Sequence, residues 1–183
     1  MLKILTYPNS LLEQKASLVK IPLGSEDKNL IKEMYKVVKG IGVGLAAPQV
    51  GILKKLFIVH LSEEKELIRE SNGQPDFVVI NPKITFYSNM ESEMIEGCLS
   101  FPDEYYKIWR PSSITIEFIT IGNLSNFLSG KYEPVLVKKK LNAKNWLSRI
   151  LQHEHDHLNG KVFIKMGGVK LDSKELHDED IID

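Results

Sequence analysis

The chain has 183 residues, 43% apolar and 26% charged, with 24 basic side chains balancing 24 acidic ones. That length suits one domain around one core. Zero net charge supplies no electrostatic drive towards nucleic acid or an anionic membrane, and no apolar run approaches the roughly 18 residues a membrane span needs.

The N-terminal stretch MLKILTYPNSLLEQ meets Pro8 and Asn9 before any apolar run is long enough for a secretory signal. The single cysteine, Cys98, excludes an internal disulfide and suits a reducing compartment. A bacterial cytoplasm is the expected location, or an organelle if a transit sequence has been trimmed. SEDKNLIKEMYKVVKG predicts a helix: Leu30, Ile31, Met34 and Val38 share a stripe, Ser25 stands as cap and Gly40 as stop. GIGVGLAAPQVG is too short and broken for a helix and reads as a turn feeding an extended segment. KKLFIVHL and DFVVINP predict strands, with SEEKELIRESNGQP between them as a surface loop or hairpin end.

SITIEFITI alternates, turning Ile114, Ile116, Phe118 and Thr120 to one side and Thr115, Glu117 and Ile119 to the other. VLVKKK and VFIKM are further short strands. NAKNWLSRILQHEHDHLNG is the strongest helix, with Asn142 as cap, a stripe of Leu147, Ile150, Leu151 and Leu158, and Asn159-Gly160 as stop. The tail SKELHDEDIID is acidic and reads as frayed. No repeat or interdomain linker interrupts the chain, and short strands with two helices predict an α+β domain.

The chemistry concentrates in HEHDH. His153 and His157 lie one turn apart on one helical face, about 40° from each other, so both imidazoles reach one ion. Glu154 between them can touch a water on that ion without being a ligand, which is the mechanical content of H-E-x-x-H. His155 falls on the opposite side. A buried glutamate beside two histidines is costly unless a metal or hydrogen bonds compensate it. Catalytic sites of this kind take three protein ligands and keep one position open. Phe163 stands where one metalloprotease pattern has a third histidine, and Glu175, His177 and Glu179 lie in the tail. Cys98, in IEGCLSFP, is the best upstream candidate, against the commoner fate of a lone cysteine as a small buried hydrophobe.

GVGLAAPQ (42–49), EGCLS (96–100) and QHEHDHLNG (152–160) together resemble, in order and spacing, the three signature motifs of peptide deformylases. The likeness extends to TYPNSLL, VINP (79–82) and Arg110-Pro111, so it covers nearly the whole chain. It implies short, mostly antiparallel strands packed around the HExxH helix, with residues 1–166 as a single catalytic domain and 167–183 as a short acidic tail. It implies removal of the formyl group from the N-terminal formyl-methionine of new polypeptides. The metal would be held by Cys98, His153 and His157: Fe²⁺ characteristically, Zn²⁺ or Ni²⁺ after substitution.

The resemblance further implies roles for individual residues. Glu154 is the general base and then acid, and Gln49 and the backbone N–H of Leu99 stabilise the oxyanion. Without the motif, Gln49 would read as a satisfied polar residue at a strand start. Backbone near Val43, Gly44 and Gly97 would pair with the substrate as an added strand. Trp146 and Ile150 match positions of the methionine pocket, although both would serve equally as core. Glu96 and Arg110 match an ion pair that holds the cysteine strand.

The chain departs from the family pattern at His155, at Ser148, in the long stretch 122–142, whose register is open, and in its acidic tail. That tail lacks the basic helix with which some relatives dock on ribosomes, so no such docking is expected, although transient proximity to ribosomes fits the substrate. Two other functions compete. One is an HExxH metalloprotease, whose third ligand would not be Cys98. The other is a non-catalytic relative that binds N-termini, which would need neither Glu154 nor Gln49.

Overall fold

The computed structural model describes residues 2–61, 64–172 and 181–182. Its strands are β1 (Gly44–Ala46), β2 (Leu56–His60), β3 (Asp76–Tyr87), β4 (Glu91–Glu96), β5 (Tyr106–Pro111), β6 (Ser113–Ile121), β7 (Leu136–Lys144), β8 (Val169–Lys170) and β9 (Ile181–Ile182). Its α-helices are α1 (Ser25–Ile41), α2 (Lys65–Glu70), α3 (Leu124–Leu128) and α4 (Asn145–Leu158). The class is α+β, as expected.

The larger, five-stranded sheet runs in the order β1-β2-β3-β6-β7, every neighbour antiparallel. Alternation along β2 and β3 sorts its side chains to two faces. Phe57, Val59, Phe77 and Val79 join Ile114, Ile116 and Phe118 of β6 against Leu147, Ile150 and Leu151 of α4. Leu56, Ile58, Val78 and Ile80 face Leu30, Ile31, Met34 and Val38 of α1. Both faces of β2 are therefore covered, which is why its sequence is an unbroken apolar run. Burying each of these side chains is worth about 1.5–3 kcal/mol before entropy is subtracted. The helix carrying HEHDH is thus held by the core itself. At its far end Gly160 adopts φ +67°, and a β-carbon there would strike the backbone of Glu13.

The smaller sheet, β8-β5-β4-β9, pairs β4 with β5 antiparallel and with β9 in parallel. A third cluster of Leu12, Cys98, Phe101, Ile108, Val162 and Phe163 packs beside it.

Several local expectations are corrected. The loop at 65–70 is helix α2, because Leu67 and Ile68 pack on the main core. Gly24, not Ser25, occupies the N-cap of α1, which runs through Gly40 and ends when Gly42 N–H closes on Val38 O. Asn142 does not cap α4: it lies in β7, where Thr115 donates to its side chain, and the strand runs on to Lys144. VFIKM is a 3₁₀ turn at Phe163–Lys165, closed by Lys165 N–H on Val162 O and Met166 N–H on Phe163 O, with Val162 and Phe163 both buried. Within 122–142, α3 absorbs the extra length by burying Leu124 and Phe127, and the register then starts at Ile121 opposite Leu136. Of the tail expected to fray, Ile181–Ile182 pairs with β4, while 173–180 and 183 lie outside the described residues.

Candidate functional site

Helix α4 buries His153 and His157 one turn apart, their rings edge to face with centroids 5.0 Å apart. Cys98 arrives from the other sheet. The chain leaves β4 at Glu96, passes Gly97 and turns as Phe101 N–H closes on Cys98 O at 2.8 Å. This carries Cys98 Sγ to 3.3 Å from His157 Nε2. The sulfur and one nitrogen from each histidine all lie within 4.8 Å of one another. No other such group of His, Cys, Asp or Glu occurs among the described residues. His155 is not part of it; Asn159 donates to its carbonyl at 2.8 Å.

Burial opposes charge on His153, but Cys98 and Glu96 beside it outweigh that effect and hold its pKa well above the ordinary 6.5. Burial and the charges of His153 and Arg110 push His157 well below that value, so its imidazole is neutral, the form that donates a lone pair. Burial pushes the Glu154 carboxyl up to about 7, against the opposing charge of His153. Glu154 Oε2 and His157 Nδ1 are buried with no hydrogen-bond partner among the described residues. A sulfur, two imidazoles and an unsatisfied carboxylate oxygen in so small a space fit a divalent ion of the Fe²⁺, Ni²⁺ or Zn²⁺ class.

Glu96, wholly buried, fixes this arrangement from behind. Its Oε2 takes a hydrogen bond from His153 Nδ1 at 2.9 Å and another from Arg110 Nη2 at 2.8 Å. Its Oε1 accepts from Arg110 Nε at 2.6 Å and Arg149 Nη1 at 2.8 Å. Arg110 Nη1 reaches Asp156 Oδ2 at 2.5 Å. Burial disfavours the Glu96 carboxylate, yet Arg110 and His153 hold its pKa well below the usual range.

The remaining wall comes from the glycine-rich segment. Gln49 sits on the 3₁₀ turn that follows β1. Its Oε1 accepts from Ala46 N–H at 2.8 Å, which orients Nε2 towards Cys98 Sγ at 3.5 Å and Ser100 Oγ at 3.4 Å. Gly44 touches the Glu154 carboxylate so closely that a β-carbon would occupy the same space.

Val43, Gly44 and Gln49 line a narrow cavity together with Gly97, Cys98 and Leu99 and with Ile150, His153 and Glu154 of α4. All nine were singled out in the sequence. Trp146 is not with them: it lines a separate open cavity with Glu93, Met94, Ile95 and Lys107. Sequence reasoning missed Asp156 and Arg149, which bond to Arg110 and Glu96. Neither gave a signal in the sequence.

Set beside known proteins, residues 1–170 match the family model described as polypeptide deformylase. The chain is 35% identical to a peptide deformylase of Wolbachia pipientis subsp. Culex pipiens (strain wPip) over 169 residues, 90% of this chain and 86% of that one. It is 37% identical to one from Prochlorococcus marinus, across 89% of this chain and 71% of the relative. Among solved structures, the peptide deformylase of Ehrlichia chaffeensis superposes with a TM-score of 0.74 at 31% identity, covering 91% of this chain and 88% of that one. The same organism's deformylase in complex with actinonin gives a TM-score of 0.72 at 32% identity, over 91% and 88%.

Proposed function

The chain belongs to the polypeptide deformylase family, and from that premise we propose that it hydrolyses the formyl group from the formyl-methionine that begins newly made polypeptides, releasing formate. One observation carries the reading to this chain's own chemistry: Cys98, His153 and His157 converge within 4.8 Å, with an unsatisfied oxygen of Glu154 beside them. Cys98, His153 and His157 would hold the divalent ion, Fe²⁺ by family habit, with Zn²⁺ or Ni²⁺ able to replace it. When bound, such an ion polarises the formyl oxygen and activates water at neutral pH.

The protein's own groups do the rest. Glu154 takes a proton from the attacking water and passes one to the departing amine; its raised pKa, near 7, suits both transfers. Gln49 Nε2, anchored through Oε1, and the Leu99 N–H donate to the oxygen on which charge develops. Gly44 has no side chain to displace the Glu154 carboxylate, and its backbone, with that of Val43 and Gly97, flanks the substrate chain. Ile150 in the narrow cavity, with Trp146 one helical turn earlier on α4, receives the methionine side chain. Glu96 and Arg110 act structurally, orienting His153.

The catalytic unit spans residues 1–166, and 167–183 is accessory. Bacterial relatives and a thiolate ligand, which a reducing compartment preserves, support a bacterial cytoplasmic location. The test is turnover of a short formyl-Met peptide by protein loaded with iron without oxygen. Amine release is expected, and Glu154→Gln should keep the metal while losing about 10²- to 10⁴-fold in kcat. Folded, metal-loaded protein that releases no amine refutes the assignment.

A further inference from the structure

Arg149 is 1% exposed, an unusual place for an arginine, and stands one helical turn before His153 on α4. From there its guanidinium leaves the helix and enters the small sheet. Nη1 donates to Ile108 O on β5 at 2.9 Å and to Glu96 Oε1 at 2.8 Å. Nη2 donates to Ser92 O on β4 at 2.6 Å. A single side chain thus bonds to both strands of the β4–β5 hairpin and to the carboxylate that orients His153. That hairpin is the element from which Cys98 emerges.

We propose that Arg149 is a positioning residue of the metal site, fixing the cysteine-bearing hairpin against the histidine-bearing helix so that sulfur and imidazoles stay in register. The proposal rests on the metal-site reading above. Two features favour it over a role in packing alone. First, the shared partner: Arg110 divides its guanidinium between the wholly buried Glu96 and the partly buried Asp156, and Arg149 is the second guanidinium on Glu96. Second, the planar fork: four acceptors on two strands, Ser92 Oγ at 3.4 Å included, are met by one rigid group, which a lysine's single nitrogen cannot reproduce. Metal ligands from separate elements hold their geometry only if something fixes those elements to each other.

The test loads wild type, Arg149→Lys and Arg149→Met with Co²⁺ in the absence of oxygen, well below the melting temperature of each. The wild type should show a thiolate-to-cobalt charge-transfer band. In both variants that band should shift or weaken, and loss of cobalt to a chelator should quicken about 10- to 100-fold. With a formyl-Met peptide, kcat should fall while KM holds, and Arg149→Lys, which keeps the charge, should be the milder. Arg149→Lys carries the test should Arg149→Met not fold. Folded variants with the wild-type cobalt spectrum and loss rate overturn the proposal, whatever their melting temperatures. A wild type without the charge-transfer band removes the metal-site reading, and the proposal with it.

Discussion

His153 and His60 each set Nδ1 against a carboxylate: His153 lies 2.9 Å from Glu96 Oε2, and His60 lies 2.5 Å from Asp76 Oδ1. The environments differ. Glu96 has no exposed surface and receives two guanidinium groups. Asp76 is 23% exposed in its side chain and receives the Tyr35 hydroxyl at 2.8 Å. Burial, aided by Asp76, lifts the Tyr35 pKa to about 12, so the phenol stays a neutral donor. The His60 cluster ties α1 to β2 and β3. The His153 ring instead faces a second imidazole, with a sulfur in the same small group. A histidine leaning on a carboxylate is therefore a general fastening. It becomes part of a reactive site only where further donors converge and buried charges hold them.

Removing a converging donor tests that distinction most severely. Cys98→Ala takes away one small, buried side chain, so the fold should survive. Metal content and deformylation should both drop to background, measured by elemental analysis and formyl-peptide turnover. A variant that keeps its metal would restore the metalloprotease reading. The next test sets the two carboxylates side by side. Glu96→Gln should weaken metal retention about 10- to 100-fold and cost about 3–5 kcal/mol, because it takes the carboxylate from the buried Arg149 and leaves Arg110 with Asp156 alone. Asp76→Asn should cost about 1–3 kcal/mol through its hydrogen bonds and leave kcat unchanged. Denaturant melts and steady-state kinetics on both variants give the comparison; equal losses of kcat would erase it.

The two regions were also unequally legible in the sequence. The unbroken run of β2, the alternation of β6 and the stripe of α4 gave the larger sheet and its helix, because apolar periodicity reports burial directly. The smaller sheet carries almost no such signal. β4 reads ESEMIE and β5 reads YKIWRP, and of the three buried positions there Glu96 and Arg110 are charged and only Ile108 is apolar. A strand whose core side is an ion-pair network does not alternate in hydrophobicity. The nine residues lining the narrow cavity were found through motifs, which mark chemistry wherever it lies. Arg149 and Asp156 were not, because their partners are remote in sequence: Arg149 bonds to Ser92, 57 positions away, and Asp156 to Arg110, 46 away.

The smallest expected effect separates Glu96 by its titration. Its folded-state pKa is depressed below the ordinary 4.5, so the folded protein binds that proton less readily than the unfolded chain. The stability it contributes is therefore complete above pH 4.5 and is lost as pH falls towards the folded value. His153 has the opposite sign: its pKa is raised above 6.5, so its contribution is complete below that pH and fades above it. Between about pH 5.5 and pH 3, His153 is charged in both states, so of these two groups only Glu96 changes. On metal-free protein, the melting temperatures of wild type and Glu96→Gln should converge as pH falls through that window. A constant gap for Glu96→Gln down to pH 3 would mean that its buried network does not rely on the carboxylate charge, and the contrast between the two histidines would then rest on convergence of donors alone.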